Sequence, residues 1–315
     1  MKGKLLAVGE CMMELTSLDD NMFKKSYAGD TYNALVYAKR LNSRLTTSFL
    51  TAVGNDQASK DMLKHWCEED IDDTKTIITD QATIGLYSIA TDNKGERSFN
   101  YWRAGSAASQ MMKYQGIDDF VSLCSSSDIV FFSGISLSVL EDEDKAKLIS
   151  LMIKLQKQGS KIAFDPNYRP KMWLNNAHAR YWLEKAYNVS DILMPGVEEH
   201  EQLFGHKNYQ EIIEYCQLFG AKEVVIKCDQ DGVYGFDGGD IVHHQPFKPA
   251  PEQVDSTAAG DSFAGTYLAA RLSGDNIDLA IKKSCFVAGE VVQHKGAILT
   301  KSVYQQLKTE LALLR

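Results

Sequence analysis

The stretch DIVFFSG, residues 128–134, is a short apolar run closed by a glycine and followed by a helical pattern. The same unit recurs in KLLAVG (4–9), KIAFDPN (161–167), DILMPG (191–196) and EVVIKCD (223–229), each ending in Gly, Pro, Asp or Asn. Repeated β-then-α alternation predicts an α/β fold, with a mainly parallel sheet covered by helices on both faces. Ligands of such sheets gather at the carboxyl ends of the strands.

Two regions break this rhythm. Residues 12–28 and 82–103 read as adjacent β segments with no helix between them. TIGLYSIAT (83–91) and ERSFNYWR (96–103), joined by DNKG, form a predicted hairpin in which Gly95 relieves the turn. Together these segments predict a small β-sheet lid on one domain spanning 1–315. A chain of 315 residues, 44% hydrophobic and 24% charged with six prolines, has the make-up of a globular protein with a sizeable core. No repeat, low-complexity tract or Pro- or Ser-rich linker divides it.

Forty-two acidic against 34 basic residues give a formal charge of −8, which argues against broad nucleic-acid or membrane binding and leaves room for a local anion pocket. The opening MKGKLLAVGE lacks the apolar core and cleavage site of a secretory signal, and no run approaches membrane-spanning length, so a cytoplasmic protein is expected. The six cysteines, at 11, 67, 124, 216, 228 and 285, show no CxxC pair and no zinc-ligand spacing, and are expected as reduced, mostly buried thiols. His65 and Trp66 in a helical pattern (55–70), and His243 and His244 in a predicted surface strand, read as packed or solvated side chains rather than metal ligands.

Chemistry concentrates in DSTAAGDSF, 255–263. Small residues at Ala258, Ala259 and Gly260 let a ligand approach the backbone, and a helix starting there aims free N–H groups outward as an anion cradle. Phe263, Tyr267 and Ala270 mark that helix's buried stripe, which puts Asp261 in its first turn. Asp261 there has two readings: a helix cap, or a base that takes a hydroxyl proton while the adjoining amides stabilise a transferred phosphoryl group. Asp255 would orient the loop or a nearby cation. No GxxxxGK[ST], no GxGxxG after a strand and no protein-kinase motif is present.

DSTAAGDSFAG resembles the C-terminal motif of the ribokinase-like (PfkB) sugar kinases, usually DTxGAGD, with Ser256 in place of Thr and Ala258 where many members have Gly. AGDTYNAL (28–35) is similar to a second family motif. The resemblance spans nearly the whole chain. It implies an ATP-dependent kinase of ribokinase-like fold in which Asp261 is the base, the amides of 258–261 form the anion hole, and Mg2+ accompanies ATP. It also leaves room for a monovalent cation. Members position magnesium through an NxxE motif; here PGVEEHEQLFG supplies Glu199 with Gly196 where Asn is usual, and Glu199 equally reads as a solvated first-turn charge.

The hairpin speaks to the substrate, because side chains two apart on a strand share a face. Phe99, Tyr101 and Arg103 point one way, and a suitable register brings Tyr87 beside them, unless these are ordinary strand aromatics and a solvated edge charge. In FDPNYRP (164–170), Asp165, Asn167 and Arg169 alternate in a segment expected to stay extended before Pro166 and Pro170. Two arginines at one pocket suit a carboxylate, which a guanidinium binds through paired charge-assisted hydrogen bonds. GERSFNYWRAGSAAS, FDPNYRP and VGECMMEL resemble the 2-keto-3-deoxygluconate kinases within that family. That likeness implies a sugar-acid site of Gly29, Asp30, Asn33, Tyr87, Tyr101, Arg103 and Arg169, with Asn167, Lys227, Gly232 and Ala288 bordering ATP. Lys227 equally reads as a side chain leaving the sheet for solvent. The expected reaction is attack of the 6-hydroxyl on the γ-phosphate of Mg-ATP. Rivals are a fructokinase, ribokinase or adenosine kinase, and a non-catalytic sugar-binding regulator. The aromatic hairpin also suits a homo-oligomer interface.

Overall fold

The computed structural model describes residues 3–19, 21–91, 97–238 and 242–314. Six parallel strands form most of one eight-stranded sheet, in the spatial order Thr46–Leu50, Lys4–Val8, Ile129–Ser133, Lys161–Asp165, Ile192–Leu193 and Glu223–Lys227. The antiparallel strands Val233–Phe236 and Val242–Gln245 complete one edge. Successive strand residues point to opposite faces. Leu6, Val8, Val130, Phe132, Ile162 and Phe164 enter one core, and Leu5, Ala7, Ile129, Phe131 and Ala163 the other. Both faces are therefore buried under helices, as the continuous apolar runs predict. Each fully buried phenylalanine of the pair Phe132 and Phe164 contributes about 1.5–3 kcal/mol.

A smaller sheet takes the two irregular regions, in the order Phe23–Ala28, Met12–Ser17, Leu86–Thr91, Arg97–Trp102. The predicted hairpin is present, with Tyr87 opposite Tyr101 and Ile89 opposite Phe99. Its turn, Asp92 to Gly95, lies outside the described residues. The chain enters this sheet after Gly9 and leaves it at Arg103, beside the carboxyl ends of the main strands.

Residues 164–170 depart from the extended path expected of them. Asp165 ends its strand, but Asn167 turns into the left-handed region at φ 37°. Asparagine tolerates that conformation because its short side chain can bond locally. Trp66 is fully buried on helix Gln57–Glu68, His65 packs 5.2 Å from the Tyr27 ring, and His243 and His244 lie on the edge strand. All six cysteines are free; four are buried, Cys285 is half-buried and Cys67 is exposed. Among the described residues, no helix is long and apolar enough to cross a membrane.

Candidate active site

Asp261 sits on the first turn of helix Ala259–Leu272. The helix is opened by Ala258 in the left-handed region (φ 61°), and no side chain caps it. The carboxylate of the half-buried Asp261 instead accepts from Asn33 Nδ2 at 2.8 Å. First-turn amides have no intrahelical acceptor. Those of Gly260 and Asp261 meet none among the described residues, and a Cβ on Gly260 would find open space. Open ground before bare amides at the positive end of a helix suits a phosphate. Asp255 holds the approaching loop: it is buried and accepts from the Thr257 N–H at 3.0 Å and the Gly296 N–H at 2.8 Å.

Asn33 comes from helix Asp30–Leu41. That helix can start where it does because residue 29 is glycine; a Cβ there would lie 2.0 Å from the Glu10 carbonyl oxygen. It crosses the Asp261 helix equally closely, since a Cβ on Gly265 would lie 2.0 Å from the Ala34 carbonyl oxygen. Asp30 accepts from Asn167 Nδ2 at 3.0 Å, the Asn167 N–H donates to Asp165 Oδ1 at 3.1 Å, and Lys227 Nζ donates to Asp165 Oδ2 at 2.7 Å. The left-handed turn at Asn167 makes this chain possible by folding its amide back onto Asp165. Lys227 thus stays in the cleft rather than leaving the sheet for solvent. Burial works against its charge, but Asp165 and Glu199 outweigh that and hold the ammonium above its usual range.

Glu199 belongs to helix Val197–Phe204 and lies over the Gly196 backbone, with Arg169 Nη1 3.6 Å from its Oε1. Its side chain is 19% exposed, and Oε2 is buried with no hydrogen-bond partner among the described residues, which is not the setting of a solvated first-turn charge. Burial pushes its carboxyl up to about 7, with Asp165 adding to the rise and Lys227 and Arg169 opposing it. Asp261 is likewise pushed up to about 7, by burial first and then by Asp30 and Asp165, against the Asn33 hydrogen bond and Arg169. No group of three or more His, Cys, Asp or Glu among the described residues could directly enclose a metal. An unsatisfied buried carboxylate oxygen among further carboxylates fits a hard cation such as Mg2+ that keeps its waters.

The smaller sheet forms the other wall. Tyr87 and Tyr101 stack with ring centres 5.5 Å apart, and Tyr101 stacks on Phe99 at 6.4 Å. Arg103 is no solvated edge charge: its side chain is 16% exposed and its Nε donates to Glu10 Oε2 at 2.7 Å, with Nη2 pairing the same oxygen. Ser106 Oγ donates to Glu10 Oε1 at 2.6 Å. Arg103 borders a hollow of ≈ 480 Å³ whose lining includes Ser109, Lys113, Glu141 and Met172 but, among the described residues, none of the other candidate residues. Arg169 itself turns to Glu199 and to the Tyr168 carbonyl at 3.0 Å, so each guanidinium faces a different glutamate. A second hollow, ≈ 230 Å³, lies where Arg40 pairs with Glu69 and holds none of the candidate residues.

Gly232, at φ 89°, is packed so that a Cβ would lie 2.1 Å from the Gln245 carbonyl oxygen; Ala288 is half-buried on helix Ile277–Val291. Neither makes a hydrogen bond to the polar chain around Asp261. Sequence reasoning assigned no role to Glu10 and Glu14, buried at 3% and 5% exposure. The available signal was two acids four apart within the mostly apolar VGECMMEL, where a buried charge must be paired.

The model of the pfkB family of carbohydrate kinases matches residues 2–303. The chain is 33% identical over 305 residues to the 2-dehydro-3-deoxygluconokinase of Escherichia coli (strain K12), covering 96% of this chain and 98% of that one. It is 32% identical over 311 residues to the enzyme of the same name from Haemophilus influenzae, covering 98% and 99%. Among solved structures, a 2-dehydro-3-deoxygluconokinase from Thermotoga maritima superposes with TM-score 0.82 at 20% identity over 98% of this chain and 99% of that one. A putative Ribokinase II of E. coli in complex with ATP and Mg2+ does so with TM-score 0.82 at 21% identity over 99% of each. The ribokinase-like fold, the bare helix start behind Asp261 and the match along nearly its whole length agree: the chain belongs to the pfkB family of carbohydrate kinases.

Proposed function

We propose that the chain is an ATP-dependent 2-dehydro-3-deoxygluconokinase, transferring the γ-phosphoryl group of ATP to the 6-hydroxyl of 2-dehydro-3-deoxygluconate (2-keto-3-deoxygluconate). One observation carries the chemistry: the carboxyl of the half-buried Asp261, pushed up to about 7, stands at an uncapped helix start with one oxygen held by Asn33. With Oδ2 so held, Oδ1 of Asp261 is the acceptor for the hydroxyl proton, and of the cradle expected at 258–261 the bare amides of Gly260 and Asp261 meet the charge that develops on the phosphoryl group, the Ala259 amide being spent on the Ser256 carbonyl at 3.3 Å. Lys227, whose charge is supported by Asp165, Glu199 and Asp261, brings a positive charge for phosphate. Glu199, with Asp165, would hold Mg2+ through water, and the ion would neutralise phosphate charge.

Substrate selection rests on Arg103 and Arg169 as cations for the carboxylate, with Gly29, Asp30, Asn33, Tyr87 and Tyr101 around the sugar and Asn167, Gly232 and Ala288 toward the nucleotide. Residues 1–315 act as one catalytic unit, with about 12–28 and 82–103 as its lid. ATP use and unpaired thiols support a cytoplasmic setting. The exposed Phe23 (53%) and Trp102 (61%) of the smaller sheet support a homo-oligomer, to be read by analytical ultracentrifugation.

The test is a coupled ADP-release assay with 2-dehydro-3-deoxygluconate, fructose, ribose and adenosine, in potassium and in sodium buffers, with phosphorus NMR of the product. A 6-phosphorylated sugar acid, with kcat/KM at least about a hundredfold above the neutral sugars, is expected from a charge-paired carboxylate. Preference for a neutral substrate, or binding with no ADP release, overturns the reading.

A further inference from the structure

Arg169 is assigned to the sugar carboxylate and Glu199 to the metal, yet the two face each other. Arg169 Nη1 lies 3.6 Å from Glu199 Oε1, too far for a hydrogen bond and near enough for a charge contact. It is the one ion-pair partner of Glu199 within 4 Å among the described residues. The other oxygen, Oε2, is buried without a hydrogen-bond partner among them. With Oε2 closed in and a guanidinium at Oε1, this carboxylate presents a hydrated cation with like charge at its open side. Little holds Arg169 there. Its side chain is 55% exposed, and Nη1 donates only to the neighbouring Tyr168 carbonyl at 3.0 Å among the described residues. Its backbone is the fixed part, set between the left-handed turn at Asn167 and Pro170. The charge of Arg169 also acts on Asp261, so the guanidinium stands within reach of both carboxylates.

A substrate carboxylate offers Arg169 paired charge-assisted hydrogen bonds where Glu199 offers a loose contact. We infer that the Arg169–Glu199 contact is a latch between the two substrates' sites: the sugar acid draws Arg169 away, and the carboxylate it leaves is then free to hold the waters of the metal that accompanies ATP. Glu199 and the sugar acid therefore compete for one guanidinium, and by linkage the acid and the metal favour each other's binding. Water and neutral sugars carry no charge to release the latch, which guards ATP against transfer to the wrong acceptor. The inference rests on the kinase reading above and deepens it, because the substrate's carboxylate becomes the signal that completes the metal side of the cleft.

Calorimetry of 2-dehydro-3-deoxygluconate binding, with a chelator and no nucleotide, tests it in the wild type, Glu199→Gln, Arg169→Ala and the double variant. Glu199→Gln removes the competitor and should tighten binding by about two- to fivefold, the worth of a partly exposed ion pair. The same change in the Arg169→Ala background should do nothing. Equal tightening in both backgrounds, which loss of a nearby negative charge gives through its field alone, overturns the inference; so does no tightening in the wild-type background. Mn2+ titrations followed by electron paramagnetic resonance, with a non-hydrolysable ATP analogue, read the other side. Saturating acid should lower the Mn2+ dissociation constant of the wild type by a similar factor, and a constant that the acid does not move overturns the latch. Should Arg169→Ala bind the acid too weakly to measure, its Mn2+ constant without acid decides: it should match the wild type with acid, and equality with the wild type without acid overturns the inference. Phosphorylation of the acid with no such coupling leaves the kinase reading standing and removes the latch alone. Wild-type protein that neither binds nor phosphorylates the acid overturns both.

Discussion

At the scale of single residues, the cleft is a set of charges that cannot be removed one at a time without consequence. Asp261 must be ionised to act as a base, and its carboxyl is pushed up to about 7. Above that pH it is charged and competent; below it the proton it should take is already there. The log of kcat/KM should therefore fall on the acid side with a limb near 7, by about tenfold per pH unit further down. The Asn33 hydrogen bond favours the charged form, so Asn33→Ala should move that limb to higher pH, and an unmoved limb in pH–rate profiles would refute Asp261 as the titrating group. Asp261→Asn should retain sugar binding by calorimetry yet lose about 10²–10⁴ in kcat. Arg103 and Glu10 make a different kind of pair. Glu10 is 3% exposed, so Arg103→Ala strands a buried carboxylate with Ser106 as its remaining side-chain partner among the described residues and should cost about 3–5 kcal/mol in denaturant unfolding. Adding Glu10→Gln should recover part of that loss; if the double variant is no more stable than Arg103→Ala, the pair does not carry the charge balance assigned to it.

At the scale of elements, two glycines fix how closely the helices bearing Asp30, Asn33 and Asp261 approach their neighbours. A methyl group at Gly265 would meet the Ala34 carbonyl oxygen at 2.0 Å, and backbone cannot step aside as a flexible side chain does. Gly265→Ala should therefore cost about 1–3 kcal/mol and also lower kcat, because it drives Asn33 away from Asp261. Full stability with unchanged kcat would show that the helix crossing is soft. What the sequence disclosed follows the same divide between local and distant. The β-then-α runs, the hairpin itself and the placement of Asp261 on a first turn depend on local pattern, where periodicity and small-residue punctuation speak directly; the register that sets Tyr87 opposite Tyr101 was left open by the sequence. Glu10 with Arg103 and Glu14 with Tyr87 are pairs 93 and 73 residues apart, and the Lys227 contact with Asp165 spans 62. No local pattern encodes such partners. The turn at Asn167 was hidden for another reason: two flanking prolines favour extended chain, and the bonds that reward a left-handed asparagine run to Asp165 and Asp30, the latter on a distant helix.

At the scale of the whole molecule, the two sheets are unequally anchored, and that difference gives the smaller one room to move. The main sheet is packed on both faces by two extensive apolar cores, whereas the smaller sheet meets the body through fewer apolar residues: Tyr27 and Met13 against one of those cores, and the cluster of Met12, Ala28, Tyr87, Ile89 and Ala297. Few buried apolar contacts mean local opening at a free energy well below that of global unfolding. Polar ties add to these, Arg103 with Glu10 at the chain's exit and Lys25 with Asp61 at 3.2 Å. A sugar acid bound between the sheets adds contacts that exist only when they are closed. At a hundred times its dissociation constant the ligand stabilises the closed form by about 2.7 kcal/mol, which is about a hundredfold in opening equilibrium. Hydrogen exchange should show it: amides of Leu86–Thr91 and Arg97–Trp102 should slow by up to that factor with saturating 2-dehydro-3-deoxygluconate, while those of Lys161–Asp165, already protected to the global limit, should follow only the change in overall stability. Equal slowing in both sheets would mean that the molecule opens as one unit, and the smaller sheet would then be a fixed wall rather than a lid.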